Sequence, residues 1–208
     1  MPIVPQAMRT LYRQPLFLFA FLCSFAIHSN GQEYIKASYI DSEGTGWWKG
    51  LDMNGFSITA GKRESLKGKS FLDFQGVFSY QGADASLTTP SIGGSTYTYT
   101  ADLSAFNFTF QPIVGYNITE KISVYAGPSL GASLWTSNET VTRNSDGASV
   151  TAFGAEATWH WGYGVGSTIK LSENWGLDFG WKHVEHSDFE LFPGYENEYW
   201  HFGVYMEF

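Results

Sequence analysis

Residues 153–169 read FGAEATWHWGYGVGSTI, and this stretch decides the fold. Phe153, Ala155, Ala157, Trp159, Trp161, Tyr163, Val165 and Ile169 fall on one parity, with Ser167 the single polar break. Gly154, Glu156, Thr158, His160, Gly162, Gly164, Gly166 and Thr168 fall on the other. Side chains alternate across a strand, so this period of two predicts one strand with a bulky apolar face and a small or polar face. A soluble sandwich turns the bulky face inward, whereas a transmembrane barrel turns it to lipid. The single stretch is compatible with both.

The dyad recurs on both sides of it. Trp200, Phe202, Val204, Met206 and Phe208 alternate with His201, Gly203, Tyr205 and Glu207. Trp175, Leu177, Phe179 and Trp181 oppose Gly176, Asp178, Gly180 and Lys182. Phe106, Phe108 and Phe110 oppose Asn107, Thr109 and Gln111, while Leu72, Phe74, Phe78 and Tyr80 oppose Asp73, Gln75, Val77 and Ser79. A Gly-, Ala- and Ser-rich strand at 123–134 and two weaker ones near 33–41 and 53–62 bring the expected number to eight. Connections alternate in length. Segments 63–69, 116–121 and 171–174 are short, and 42–52, 82–99, 136–150 and 186–197 are long and polar, as in barrels with short turns on one side and loops on the other.

Composition agrees. Of 208 residues, 18% are aromatic and 15% charged, with 8 Trp, 12 Tyr and 17 Phe, a balance suited to aromatic girdles at two membrane interfaces. The formal charge of −8 argues against a nucleic-acid partner. At the N-terminus, Arg9 and Arg13 precede an apolar run from Pro15 to Ile27, and no acidic residue comes before Glu33. This predicts a secretory signal peptide over 1–31, cleaved between about 26 and 31, followed by a barrel domain over 32–208. Cys23, the single cysteine, lies inside the signal; Ala20 and Leu22 are not what a lipidation site wants before it.

From the signal peptide, the stretch Phe106 to Trp135 with its tight turn at Tyr116 to Lys121, and the final aromatic dyad ending at Phe208, the chain resembles the small eight-stranded outer-membrane β-barrels of the OmpA/OmpX type and the related opacity-protein-like porin superfamily. The resemblance implies an all-β, antiparallel, up-and-down transmembrane barrel in the bacterial outer membrane, with both termini periplasmic. It also implies outer-membrane lipid and lipopolysaccharide as surroundings, and periplasmic chaperones and the barrel assembly machinery as partners. That machinery would read Trp200, Phe202, Val204, Met206 and Phe208 as an assembly signal. An extracellular ligand would meet the loops 42–52, 82–99, 136–150 and 186–197.

Catalytic patterns are absent from the sequence. Lipid-modifying barrels of this resemblance use His-x-Ser, which puts base and nucleophile on one face. Here Ser187 follows His186 directly, and His160, His183 and His201 have no Ser two positions on. His183 and His186 are three apart, a helical spacing, with no cysteine to help hold a metal. The acidic residues Glu185, Asp188, Glu190, Glu196 and Glu198 read as a solvated loop, with divalent-cation binding as the alternative. We therefore expect no cofactor, no metal and no enzyme. The expected role is envelope integrity or surface-loop adhesion; the alternatives are a lipid A deacylase-like enzyme and a narrow channel or ligand carrier. Parity places Glu156, His160, Asp178, Lys182, Glu207, Asn107 and Gln111 in the lumen as a structural polar network, with Lys182 expected to pair with Glu156 or Asp178. Trp47-Trp48 and Pro193-Gly194-Tyr195 read as anchors and a turn at the outer membrane interface. The sequons at Asn107, Asn117 and Asn138 read as chance.

Overall fold

A computed structural model describes residues 31–45, 49–88, 96–187 and 194–208. The proposed signal peptide, Cys23, Trp47, Trp48, Asp188, Glu190 and Pro193 lie outside the described residues. Eight strands follow in chain order: β1 (Gln32–Gly44), β2 (Asp52–Ser65), β3 (Ser70–Thr88), β4 (Tyr97–Asn117), β5 (Ile122–Arg143), β6 (Ser149–Lys170), β7 (Trp175–His186) and β8 (Glu196–Glu207). Each pairs antiparallel with the next, and β8 returns to β1 in the register Tyr34↔Glu207 through Gly44↔Asn197, closing a barrel. Beyond β8, the Phe208 N–H still donates to the Glu33 carbonyl at 3.1 Å.

The predicted parity holds on every strand for which it was read. Outward residues are large, apolar and exposed, among them Phe108, Leu130, Trp161, Tyr163, Val165, Trp200 and Phe202. Inward residues are mainly Ser, Thr, Gln, Asn, Lys and Asp, and they are buried. An exposed apolar belt around a polar interior is the reverse of a soluble sandwich and matches a lipid environment. Outward rings also meet across strands, as in Phe78–Phe108 at 5.1 Å and Phe179–Phe202 at 4.8 Å.

Inward glycines have a specific use. Tyr34, Phe71, Tyr125 and Tyr205 lie directly opposite Gly61, Gly115, Gly166 and Gly176 on neighbouring strands. A Cβ at any of the four glycines would come within 2.5 Å of the facing ring. Each aromatic lies flat across a bare backbone, which lets four large rings share a narrow lumen.

The expected long loops need correction. Strands β3 to β6 run for 19, 21, 22 and 22 residues, against 12 to 14 for β1, β2, β7 and β8. Much of 82–99 and most of 136–150 is therefore strand, and the connection between β5 and β6 is only residues 144–148. The sequence concealed this because these ends leave the lipid belt. With water on both faces, Thr98, Thr100, Thr140 and Thr142 satisfy the ladder without any apolar alternation.

Candidate functional site

Two features stand out for function: the packed lumen and the sheet that projects from one end. The lumen is built in layers. Nearest the short turns, Tyr34 donates to Asp73 at 2.7 Å and Arg63 reaches the same carboxylate at 3.5 Å, its guanidinium 4.1 Å from the Phe71 ring centroid. Lys170 and Gln32 hold Glu207 at 2.9 and 3.0 Å. In the middle, Asp178 is a hub: Oδ1 accepts from Lys36 Nζ and from the Tyr125 hydroxyl, both at 3.0 Å, and Oδ2 meets His201 Nε2 at 3.1 Å. Lys182 donates to Gln111 Oε1.

Further from the short turns, Asn107 donates to Ser79 at 3.1 Å, and His160 bridges Thr109 and Ser133 at 2.9 and 2.8 Å. An apolar cap of Met53, Ala101, Leu103, Ala105, Trp135 and Tyr195 then closes this end. Tyr195, expected at a membrane interface, instead turns inward and packs edge-on against Trp135 at 5.0 Å, with His186 against both rings. It directly follows Gly194, which takes a positive φ of 64° and turns the chain back over the barrel mouth.

The residues assigned to the lumen by parity all lie on inward faces, but the expected partner of Lys182 is wrong. Lys182 stands opposite Gly164, eight positions (164 − 156) along β6 from Glu156, which is about 26 Å at the rise of a strand. Glu156 is only half-buried, level with the cap opposite Trp135. Asp178 takes Lys36 instead, from a strand that does not adjoin its own. Lys36, Arg63, Asp73, Tyr34, Tyr125 and His201 were missed as network members. Parity alone would have placed Lys36, since Ile35, Ala37 and Tyr39 flank it on the lipid-facing side.

A histidine–serine contact does exist, between His160 Nδ1 and Ser133 Oγ, but both residues are 2% exposed beneath the Trp135–Tyr195 cap and the other ring nitrogen is taken by Thr109. Among the described residues no acid bonds the ring, whose two nitrogens hold Thr109 and Ser133 in a structural bridge. Ser187 Oγ is spent on Thr158 at 2.6 Å and on the Trp159 N–H. His183 lies 3.6 and 3.8 Å from Glu185 and Glu198, and Glu196 meets Thr45 at 3.4 Å. Among the described residues, no three His, Cys, Asp or Glu side chains are placed to hold a metal.

The projecting sheet is the second feature. The β6–β7 ladder begins only at His160↔His186, while β6 stays paired with β5 as far as Ser149↔Thr142. On the far side, β2 leaves β3 at Gly82, while β3 continues along β4 to Thr88↔Thr98. Four strands thus extend past the other four with an unpaired edge on each side among the described residues. At its tip Arg143 grips Asp146 at 2.9 and 2.7 Å, and this hydrogen bonding holds the exposed Asp146 carboxyl below the ordinary aspartate range.

A closed eight-stranded ring with a lipid-suited exterior is matched by sequence as well: the profile of the outer membrane protein beta-barrel domain fits residues 17–208. The chain belongs to this family. It is therefore a bacterial outer-membrane barrel. Its fold is similar to that of Ail, the attachment invasion locus protein of Yersinia pestis, solved in complex with the heparin analogue sucrose octasulfate (TM-score 0.53, 17% identity, covering 86% of this chain and 100% of that one). It is also similar to a major outer membrane protein of Thermus thermophilus (TM-score 0.50, 12% identity, 85% and 99% covered). No curated protein matches significantly by sequence.

Proposed function

We propose that this family member is a non-enzymatic surface-interaction protein, and that the sheet formed by the ends of β3 to β6 is its binding element. The observation that carries the reading is the edge of β6 over residues 149–157, which has no ladder partner among the described residues. A strand edge presents a row of backbone donors and acceptors to any extended segment that approaches it, the basis of β-strand addition. Among the described residues, the stretch 149–157 of β6, about 30 Å of strand, stands clear of β7. A spanning strand needs roughly 9 to 11 residues, so this excess lies beyond the bilayer.

The reading places the projecting end outside the cell and the short turns, with both chain ends, in the periplasm. It includes export by the 1–31 signal, and folding by chaperones and the assembly machinery acting on the outward row Trp200, Phe202, Val204, Met206 and Phe208. Lipopolysaccharide surrounds the belt. The described part of the sheet and its tip carry Asp84, Asp102, Glu139 and Asp146 against Arg143. That balance repels sulfated polysaccharide and favours a protein partner over the kind of ligand seen with the Yersinia protein. A channel role is disfavoured because side chains fill the lumen.

The test exploits the geometry of the edge. Trp159 directs both its N–H and its C=O to Ser187, so by alternation Thr151, Phe153, Ala155 and Ala157 aim theirs at the open side. Ala155→Pro removes one edge donor without touching the ladder to β5. Cells expressing this variant should lose retention on protein-coated surfaces and lose mutual aggregation, while heat-modifiable gel mobility stays that of the folded barrel. Wild-type adhesion by a correctly assembled Ala155→Pro barrel would refute the reading, and turnover of labelled lipid A by the wild type would refute its non-enzymatic part.

A further inference from the structure

Charges in the lumen do not cancel by ion pairing. Four inward cations, Arg63, Lys170, Lys36 and Lys182, face three buried inward carboxylates, Asp73, Glu207 and Asp178, with Lys170 on Glu207. Arg63 takes Asp73 and Lys36 takes Asp178. Lys182 is buried too, yet its partners are neutral: Gln111 Oε1 and the face of Tyr199, whose ring centroid is 5.5 Å from Nζ. Among the described residues no carboxylate lies within ion-pair distance of it. An ammonium taken out of water without a counter-charge is strongly disfavoured.

Beside Lys182 is a cavity of about 20 Å³. Lys36, Lys182 and Asp178 line it, with Ser57, Thr59 and His201, and the Asp178 carboxylate is already taken by Lys36 and His201. His201 Nδ1 is buried with no protein hydrogen-bond partner. The space suits one occupant of about the size of a water molecule. We propose that the cavity binds a single small anion, chloride, as the resident counter-ion of Lys182. Two ammonium groups and two hydroxyls supply the donors that a spherical anion accepts from. With Lys36 already paired to Asp178, Lys182 leaves a net positive charge beside the cavity that disfavours a cation, and sulfate or phosphate is too large for the volume. Water would fill the space but leave the excess positive charge unanswered. With chloride bound, each of these four cations has an anion beside it.

Bromide has anomalous scattering and replaces chloride, so crystals of the refolded barrel soaked in sodium bromide test the site directly. A peak in the cavity, within hydrogen-bond distance of Lys182 Nζ, is expected. In solution, unfolding in sodium chloride is compared with sodium gluconate at equal ionic strength. Chloride at ten times its Kd should raise the folding equilibrium about tenfold in the wild type. Lys182→Met should abolish that gain and fold at least as well in gluconate, since the uncompensated charge is gone. Thr59→Val, which keeps the charge, should weaken it, and decides the matter together with the bromide map if Lys182→Met does not refold. An empty or water-filled cavity in bromide, or a chloride effect unchanged in the variants, would overturn the proposal and point to a neutral lysine.

Discussion

Replacing Asp178 by Ala should be among the most destabilising single changes in this barrel. Asp178 is 2% exposed and accepts from Lys36, Tyr125 and His201 at 3.0 to 3.1 Å. Breaking a buried ion pair by removing one partner costs roughly 3 to 5 kcal/mol, because the remaining charge is left uncompensated. The Tyr125 hydroxyl keeps His201 Nε2 at 3.1 Å but loses the carboxylate, and this lost hydrogen bond adds about 1 kcal/mol, for a total of about 4 to 6 kcal/mol. Removing both charges should recover most of it: Lys36→Met combined with Asp178→Leu leaves no buried ion, and such replacements are often close to neutral. The assay is equilibrium urea unfolding in lipid vesicles of the wild type, Lys36→Met, Asp178→Leu and the double, with Asp178→Ala beside them. A double variant whose loss equals the sum of the singles would show that the two charges do not interact, and would refute the hub.

Other outcomes follow from the same geometry. Gly166→Ala places a methyl within 2.5 Å of the Tyr125 ring and should cost about 1 to 3 kcal/mol in the same unfolding assay, partly relieved by Tyr125→Ala. Tyr195→Ala removes a fully buried cap side chain and should cost about 3 to 5 kcal/mol, as for other large aromatic deletions, while planar-bilayer recordings stay silent because the Asp178 layer still blocks the lumen. Asp146, whose carboxyl Arg143 holds low, contributes to the tip only while ionised. Its support is therefore present at pH values above the ordinary aspartate range and is lost as acid protonates the folded group; carboxyl NMR titration should show the low value and its return to normal in Arg143→Ala.

The lipid belt was legible because its bulky residues recur at period two. Trp175, Leu177, Phe179 and Trp181 leave no other reading once the same parity appears on several strands. β1 and β2 were fainter since Ala37 and Ala60 stand among their outward residues, and small side chains blur a dyad. The projecting ends were illegible for a different reason: outside lipid, neither face of Thr140 to Arg143 has to be apolar. Inward positions such as Asp178 and Lys182 followed from parity alone. Their partners did not, since contacts across a lumen depend on strand stagger rather than adjacency; Lys182 on β7 meets Gln111 on β4, and no local pattern in either strand encodes that meeting.

The Lys36–Asp178 contact spans 142 positions of sequence and straddles the seam where β8 meets β1. Lys36 lies in the first strand, Asp178 in the seventh and His201 in the last, so the hub assembles only when the ring has shut. A sheet that entered the bilayer still open would turn an unpaired ammonium and an unpaired carboxylate toward hydrocarbon, at a steep energetic penalty. The ion pair that fills the finished lumen therefore contributes nothing until first and last strands have met, and its stabilisation is tied to closure of the ring.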